Sequence, residues 1–286
     1  MDFVGAFRER VATATREPGM AVDPMSSVTD TDAGSVPVRV YRPEDGVVPL
    51  LVYVHGAGFI AGDLDSHDQI CRYLAATVGA VVVAVDYRLA PEHPFPAALE
   101  DTVAAVEWAL AGAADLGVDA GCWAIAGDSA GGTLAAAVTQ RWRGRTDAPR
   151  AQALICPALQ LDELDHSSHH EFAEAEGFNT GVMRQMIDLY LGESADRSSP
   201  EASPARAPDL SGLPPTVMIT AELDPLRDDG ESYARRLVEC GVPVTSYRHL
   251  DMVHYGVLWC RAAEEIASGA AVVAEALGAA LHGTSS

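Results

Sequence analysis

The stretch Trp123-Ala124-Ile125-Ala126-Gly127-Asp128-Ser129-Ala130-Gly131-Gly132 passes from a short apolar run, through Gly-x-Ser-x-Gly, straight into an alanine-rich segment. These residues predict a strand and a helix with nothing but the motif between them. A chain that turns so sharply needs side chains reduced to almost nothing around the serine, and Gly127, Gly131 and Gly132 provide that room. The Ser129 hydroxyl is then pushed out above the sheet, beside the first free N–H groups of the new helix. Ala130 N–H is the donor placed to receive developing negative charge. By itself the pentapeptide also reads as an ordinary tight turn, because Gly, Asp and Ser are common turn residues. The remainder of the chain has to discriminate between the two.

Strand and helix signals alternate along most of its length. Val36 to Tyr41 alternates like a strand near a sheet edge, where Pro37 is tolerated. Leu50-Leu51-Val52-Tyr53-Val54 is a buried-strand run that ends at His55-Gly56-Ala57-Gly58-Phe59. Taken alone, that glycine-rich end is a strand-to-loop turn. Paired with the elbow it supplies the backbone donors, Ala57 and Gly58 N–H, that complete a hole for an oxyanion. A helix capped by Ser66 and running to Val78, the strand Val81 to Val85, the proline-fixed loop Pro91 to Pro96 and a helix from Ala97 to Leu110 follow. His93 on that loop reads as structural. Ala153 to Pro157, Thr216 to Thr220 and Val242 to Tyr247 are further strands, with helices from Asp229 to Cys240 and from about Trp259 to Leu281. The fold class implied is α/β, a mostly parallel sheet with helices on both faces.

Two segments break the alternation. Residues 1–33 combine an amphipathic helix, Phe3, Val4, Phe7 and Val11 at helical spacing, with a Pro, Ser and Asp-rich connection. Residues 162–205 form an insertion between strands, with Phe172, Phe178, Met183, Met186, Ile187, Tyr190 and Leu191 as its apolar positions. Together they predict a cap over a core of 34–161 and 206–286, with Phe59, Phe172, Phe178, Met183, Met186, Ile187 and Tyr255 as candidate pocket residues. His166, His169 and His170 have no carboxylate–histidine spacing that fixes a metal geometry.

Composition narrows the chemistry. The chain has 286 residues, 48% of them apolar, enough for one large core. Its formal charge of −22 disfavours nucleic acid and anionic membrane surfaces as partners. All 19 basic residues are arginine, so Schiff-base, phosphate-loop and serine–lysine chemistries have no lysine to use. Five scattered cysteines without Cys-x-x-Cys spacing favour a reducing, cytoplasmic setting. The N-terminus has no basic start followed by an apolar block, so no signal peptide is expected, and the longest apolar run, Val78 to Val85, is too short for membrane insertion.

Acid and base candidates lie at strand ends downstream. Asp224, in Ala221-Glu222-Leu223-Asp224-Pro225-Leu226-Arg227-Asp228, follows one predicted strand, and His254 follows the last. The chain order Ser129, Asp224, His254 is the order in which a hydrolase sheet delivers nucleophile, acid and base. Asp128 adjoins the serine but its side chain is expected to point away, and Asp228 is expected one helical turn into the next element. Glu222 is a third nearby acid, and Asp224 is the choice among them.

These motifs together, with Gly62 to Asp68, Asp86 to Asp101 and Ala205 to Pro215, resemble those of the bacterial hormone-sensitive-lipase-type carboxylesterases of the α/β-hydrolase fold. The resemblance covers residues 36 to 260. It implies hydrolysis of short- to medium-chain carboxylic esters through an acyl-enzyme, a two-part cap and no metal or organic cofactor. Two departures stand out: the family's His-Gly-Gly-Gly appears as His55-Gly56-Ala57-Gly58, and its His-Gly-Phe as His254-Tyr255-Gly256. The alternatives on the same triad are a deacetylase, a lactonase or an acyltransferase. A non-catalytic binder requires a lost catalytic group, and all three are present. The last strand offers an unpaired edge for a symmetric homodimer.

Overall fold

A run such as Val81-Val82-Val83-Ala84-Val85 has no polar face to give to water, so it is stable only with both sides covered. The computed structural model, which describes residues 2–14, 23–254 and 269–283, arranges it that way. Its strands are β1 (Ser27–Ala33), β2 (Val36–Arg42), β3 (Val48–Val54), β4 (Val81–Val85), β5 (Val118–Asp128), β6 (Ala151–Ile155), β7 (Thr216–Leu223) and β8 (Val244–Val253). They form one sheet in the order β1-β2-β4-β3-β5-β6-β7-β8. β2 runs antiparallel to β1 and β4, and the rest are parallel. Every residue of β4 and β6 is buried.

The helices are α1 (Phe3–Ala14), α2 (Asp68–Val78), α3 (Ala97–Ala111), α4 (Ala113–Leu116), α5 (Ala130–Trp142), α6 (Ser167–Glu171), α7 (Thr180–Leu191), α8 (Arg227–Glu239) and α9 (Gly269–His282). Successive strand residues point to opposite faces, which divides the core in two. Val52, Val83, Ile125, Leu154 and Met218 pack with α3, α5 and α8. Leu51, Val82, Ala124, Ala153 and Val217 pack with α2 and α9. Each fully buried Val or Leu contributes about 1.5–3 kcal/mol, so these two layers carry most of the stability. No helix among the described residues is long and apolar enough to cross a membrane.

Three features depart from the sequence reading. Ser27–Ala33, expected within a cap connection, is the outer strand of the sheet and makes β2 an inner one. Only Ala33 of β1 is buried, so the strand lacks an apolar stripe, and Arg39 of β2 holds its Asp30 at 2.6 Å. α2 starts at Asp68 with His67 before it. Ser66 closes a turn instead, its N–H donating to Asp63 Oδ1 (2.7 Å) while its Oγ accepts from Asp63 N–H (2.9 Å). The apolar cap stretch is two helices, α6 and α7, with Phe172 and Phe178 between them. α9 is described from Gly269, and the earlier part of the expected last helix lies outside the described residues. β8 is the other outer strand, and it exposes Tyr247, Leu250 and Val253.

The first turn of α5 lies directly on β3. A Cβ on Gly131 would run into the Val54 and His55 carbonyls, and one on Gly127 into the Gly131 backbone. Both neighbours are main chain, which has little freedom to retreat. Gly131→Ala is therefore expected to destabilise the protein by about 1–3 kcal/mol, measured as a lower urea midpoint. An unchanged midpoint would show that α5 stands further from β3 than described.

Candidate active site

Ser129 occupies the point where β5 becomes α5, with φ 51° and ψ −119°. Such backbone is costly for a residue with a Cβ and persists only where its surroundings enforce it. Here the Ser129 N–H donates to the Ile155 carbonyl at 2.7 Å, and its carbonyl accepts from Thr133 N–H at 3.2 Å. His254 is the turn residue directly after β8, and Asp224 follows β7. Ser129 and Asp224, 125 and 30 positions before His254 in the chain, are brought to it: Nε2 of His254 is 3.0 Å from Ser129 Oγ and Nδ1 is 2.7 Å from Asp224 Oδ2. A carboxylate can only accept, so Nδ1 carries the proton and Nε2 presents a lone pair to the hydroxyl. The other Asp224 oxygen accepts from Leu226 N–H at 2.9 Å, and the carboxylate is fully buried.

The glycine-rich loop comes from the end of β3. Ala57, Gly58 and Phe59 all have positive φ (79°, 67° and 63°). Ala57 therefore keeps the left-handed backbone despite its methyl group, which costs of order 1 kcal/mol or more. The Ala57 carbonyl accepts from Ile60 and Ala61 N–H, closing a tight turn. Ala130 is the first residue of α5, so its N–H has no partner inside the helix. Among the described residues the N–H groups of Ala57 and Gly58 are likewise not used within the loop.

α7 and the segment before it cover this centre. Met183, Met186 and Ile187 are buried in the same cluster as Phe59, and a Cβ on Gly58 would overlap the Met186 sulfur. Phe178 stacks on the His254 ring at 4.3 Å. Phe59 stacks on Tyr190 of α7 at 3.7 Å. Phe172 is engaged elsewhere, its ring 5.6 Å from the Arg227 guanidinium. Tyr255 lies outside the described residues. α1 is fastened nearby, with Arg8 donating to the Ile60 and Ala90 carbonyls at 2.7 and 3.1 Å.

A fitted family model described as the alpha/beta hydrolase fold matches residues 51–258. The chain belongs to the α/β-hydrolase family. Esterase LipI of Mycobacterium tuberculosis is 40% identical over 88% of this chain and 81% of its own length. The hyperthermophilic esterase of the archaeon Pyrobaculum calidifontis superposes with a TM-score of 0.89 at 39% identity, over 98% of this chain and 94% of that one. EstE1, a thermostable carboxylesterase from a metagenomic library, gives 0.90 at 36% identity, over 98% of each chain. The resemblance to hormone-sensitive-lipase-type carboxylesterases is thereby borne out, as is the α/β fold class.

Beside the hydrolase centre, two polar groupings escaped the sequence reading. His169, weighed above only as a metal ligand, is fully buried with its Nε2 2.7 Å from Asp229 Oδ2. The same carboxylate accepts from Leu159 and Gln160 N–H, and Ser168 bonds Asp228 and the Pro225 carbonyl. His169 is thus a pin between α6 and α8. Its partner was legible only as the second Asp of Asp228-Asp229. The one group of metal-type ligands drawn together among the described residues is Cys156, Asp224 and His254. Burial, with Asp224 next, pushes the Cys156 thiol well up, and the other two groups are bonded to each other. A protonated thiol beside an already bonded pair is a poor donor set for a cation.

The second grouping lies beneath the glycine-rich loop, where His55, His67, Tyr53 and Asp128 are buried together. Burial alone would push the Asp128 carboxyl up, but His67, the Tyr53 hydroxyl and His55 outweigh it and hold the group below the usual carboxylate range. His55 stacks on Tyr87 at 4.2 Å, and its Nδ1 is 2.9 Å from the Gly56 carbonyl, leaving Nε2 without a partner among the described residues. Burial, followed by His67, brings the His55 imidazole down to about 4. An unfolded chain binds this proton near pH 6.5, whereas the native one does so only near 4. Stability is therefore intact above about pH 6.5 and is lost as pH falls towards 4, by about 3 kcal/mol for this group. His55→Gln, which takes up no proton, is expected to flatten the fall of thermal midpoint across that window; parallel curves for the two proteins would remove His55 as the cause.

Proposed function

We propose that this hydrolase is a serine carboxylesterase acting on short- to medium-chain esters. The observation that carries the reading is the unbroken line from Asp224 Oδ2 to His254 Nδ1 (2.7 Å) and from His254 Nε2 to Ser129 Oγ (3.0 Å). A serine hydroxyl is nearly inert at neutral pH. His254 takes its proton as Oγ attacks the ester carbonyl, and Asp224 stabilises the imidazolium that results. The tetrahedral oxyanion is held by the N–H groups of Ala57, Gly58 and Ala130. His254 returns the proton to the departing alcohol, and a water repeats the sequence to release the acid from the acyl-enzyme.

Substrate size is the finer part of the proposal. Met186 against Gly58 and Phe178 against His254 bring apolar side chains close to both the oxyanion loop and the base. The acyl range of roughly two to eight carbons is taken from the likeness to short- and medium-chain carboxylesterases, and close apolar side chains at the loop and the base are consistent with it. The ester is the small-molecule partner, and the chemistry draws on protein groups alone. The four described cysteines, Cys71, Cys122, Cys156 and Cys240, are free, in keeping with a reducing compartment.

Ser129→Ala is expected to lower kcat on a p-nitrophenyl acyl ester by at least about 10³-fold with the fold retained by circular dichroism. Turnover at the parent rate would refute the assignment of the nucleophile. In a series of p-nitrophenyl esters, kcat/KM is expected to peak between about two and eight acyl carbons, with little action on triglyceride emulsion. A maximum on long-chain triglyceride would overturn the size argument.

A further inference from the structure

Asp128 stands one residue before the proposed nucleophile, yet its carboxylate turns away from the Ser129 hydroxyl and under the glycine-rich loop. Its Oδ1 accepts from the Tyr53 hydroxyl at 2.8 Å and from Gly56 N–H at 3.1 Å, and His67 Nε2 lies 3.4 Å from the same atom. The contact with the loop is as close as backbone allows, since a Cβ on Gly56 would overlap the carboxylate. The carboxylate is also buried, so no solvent competes for these bonds. Nothing in the acyl-transfer sequence above uses it.

The loop has a reason to need such a partner. Ala57, Gly58 and Phe59 are three consecutive residues in left-handed backbone, a run that a chain does not hold without outside support. Bonds from Ile60 and Ala61 to the Ala57 carbonyl secure its far side. On the near side, Gly56 N–H is secured by Asp128, which is covalently part of the elbow. His67 is steadied in turn by Ser66, whose Oγ lies 2.9 Å from His67 Nδ1.

We propose that Asp128 is a positioning residue, its carboxylate clamping Gly56 so that the Ala57 and Gly58 N–H groups stand at a fixed height over Ser129. The oxyanion hole is assembled from two segments, elbow helix and loop, and Asp128 ties one to the other. This rests on the serine-esterase reading above. Donors set for the transition state act on kcat and leave ground-state binding almost untouched. The clamp therefore belongs to turnover and not to substrate affinity.

The test uses the full chain, p-nitrophenyl butyrate as substrate, and stoichiometric labelling by a fluorescent alkylphosphonate to count competent sites. Asp128→Ala is expected to lower kcat per labelled site by about 10²-fold, with KM within about threefold of the parent. Asp128→Asn keeps the shape and one acceptor but not the charge, and is expected to recover to about a tenfold loss. A purely structural role would reduce the number of sites that label while each turned over at the parent rate, and that result overturns the proposal. So does a loss carried by KM alone. If Asp128→Ala yields no folded protein, Asp128→Asn decides, and a parental kcat per site in that variant overturns the clamp. Ser129→Ala runs alongside. If it is silent while the Asp128 variants behave as the parent, the clamp fails and the esterase reading stands; hydrolysis surviving in Ser129→Ala overturns both.

Discussion

A helix can start on the residue after a strand ends only where its first turn rests on bare backbone. Gly131 over the Val54 and His55 carbonyls, and Gly127 under Gly131, meet that condition. The rest of the centre depends on it. Because α5 sits so close to β3, the left-handed Ser129, the free N–H of Ala130 and the loop leaving β3 fall within reach of one another. A single side chain's thickness between α5 and β3 would move Ser129 from the glycine-rich loop by more than a hydrogen bond can span.

Much of this arrangement was legible in the residues because each part of it has a local signature. Buried parallel strands announce themselves as unbroken apolar runs, and the elbow must be written in glycine. The order of Ser129, Asp224 and His254 follows from the order of strand ends along the chain. What was not legible is what lacks periodicity or depends on a distant partner. β1 is nearly all polar and takes its place by backbone pairing with β2. Ser66 has the chemistry of a helix cap but is spent on Asp63. Phe172 was grouped with the pocket by its place in an apolar stretch, whereas its ring lies against Arg227. That Asp128 turns away from the serine could be foreseen from the elbow. Its partners could not, since Tyr53, Gly56 and His67 lie more than sixty positions upstream.

The excess of carboxylates has a bearing on how the arginines are used. Arg39 binds Asp30 and Asp65 and approaches Asp68, Arg227 binds Asp228 and Glu171, and Arg206 binds Asp162 and Glu163. A planar guanidinium with five donors can serve two acids at once, which a lysine ammonium does with less geometric control. Each exposed pair is worth little singly. Shared in this way, they fasten segments distant in the chain: β1 to the turn before α2, and the cap to the start of α8.

The buried bond between His169 and Asp229 has a mechanical side. Asp229 lies on the same short stretch that carries Asp224, five positions further on, while His169 belongs to α6. α6 and the Asp224–His254 pair are therefore bolted to a common beam. A displacement of α6 would therefore pull on the segment that holds the Asp224 carboxylate against His254, so strain entering at one end of that segment would be felt at the other.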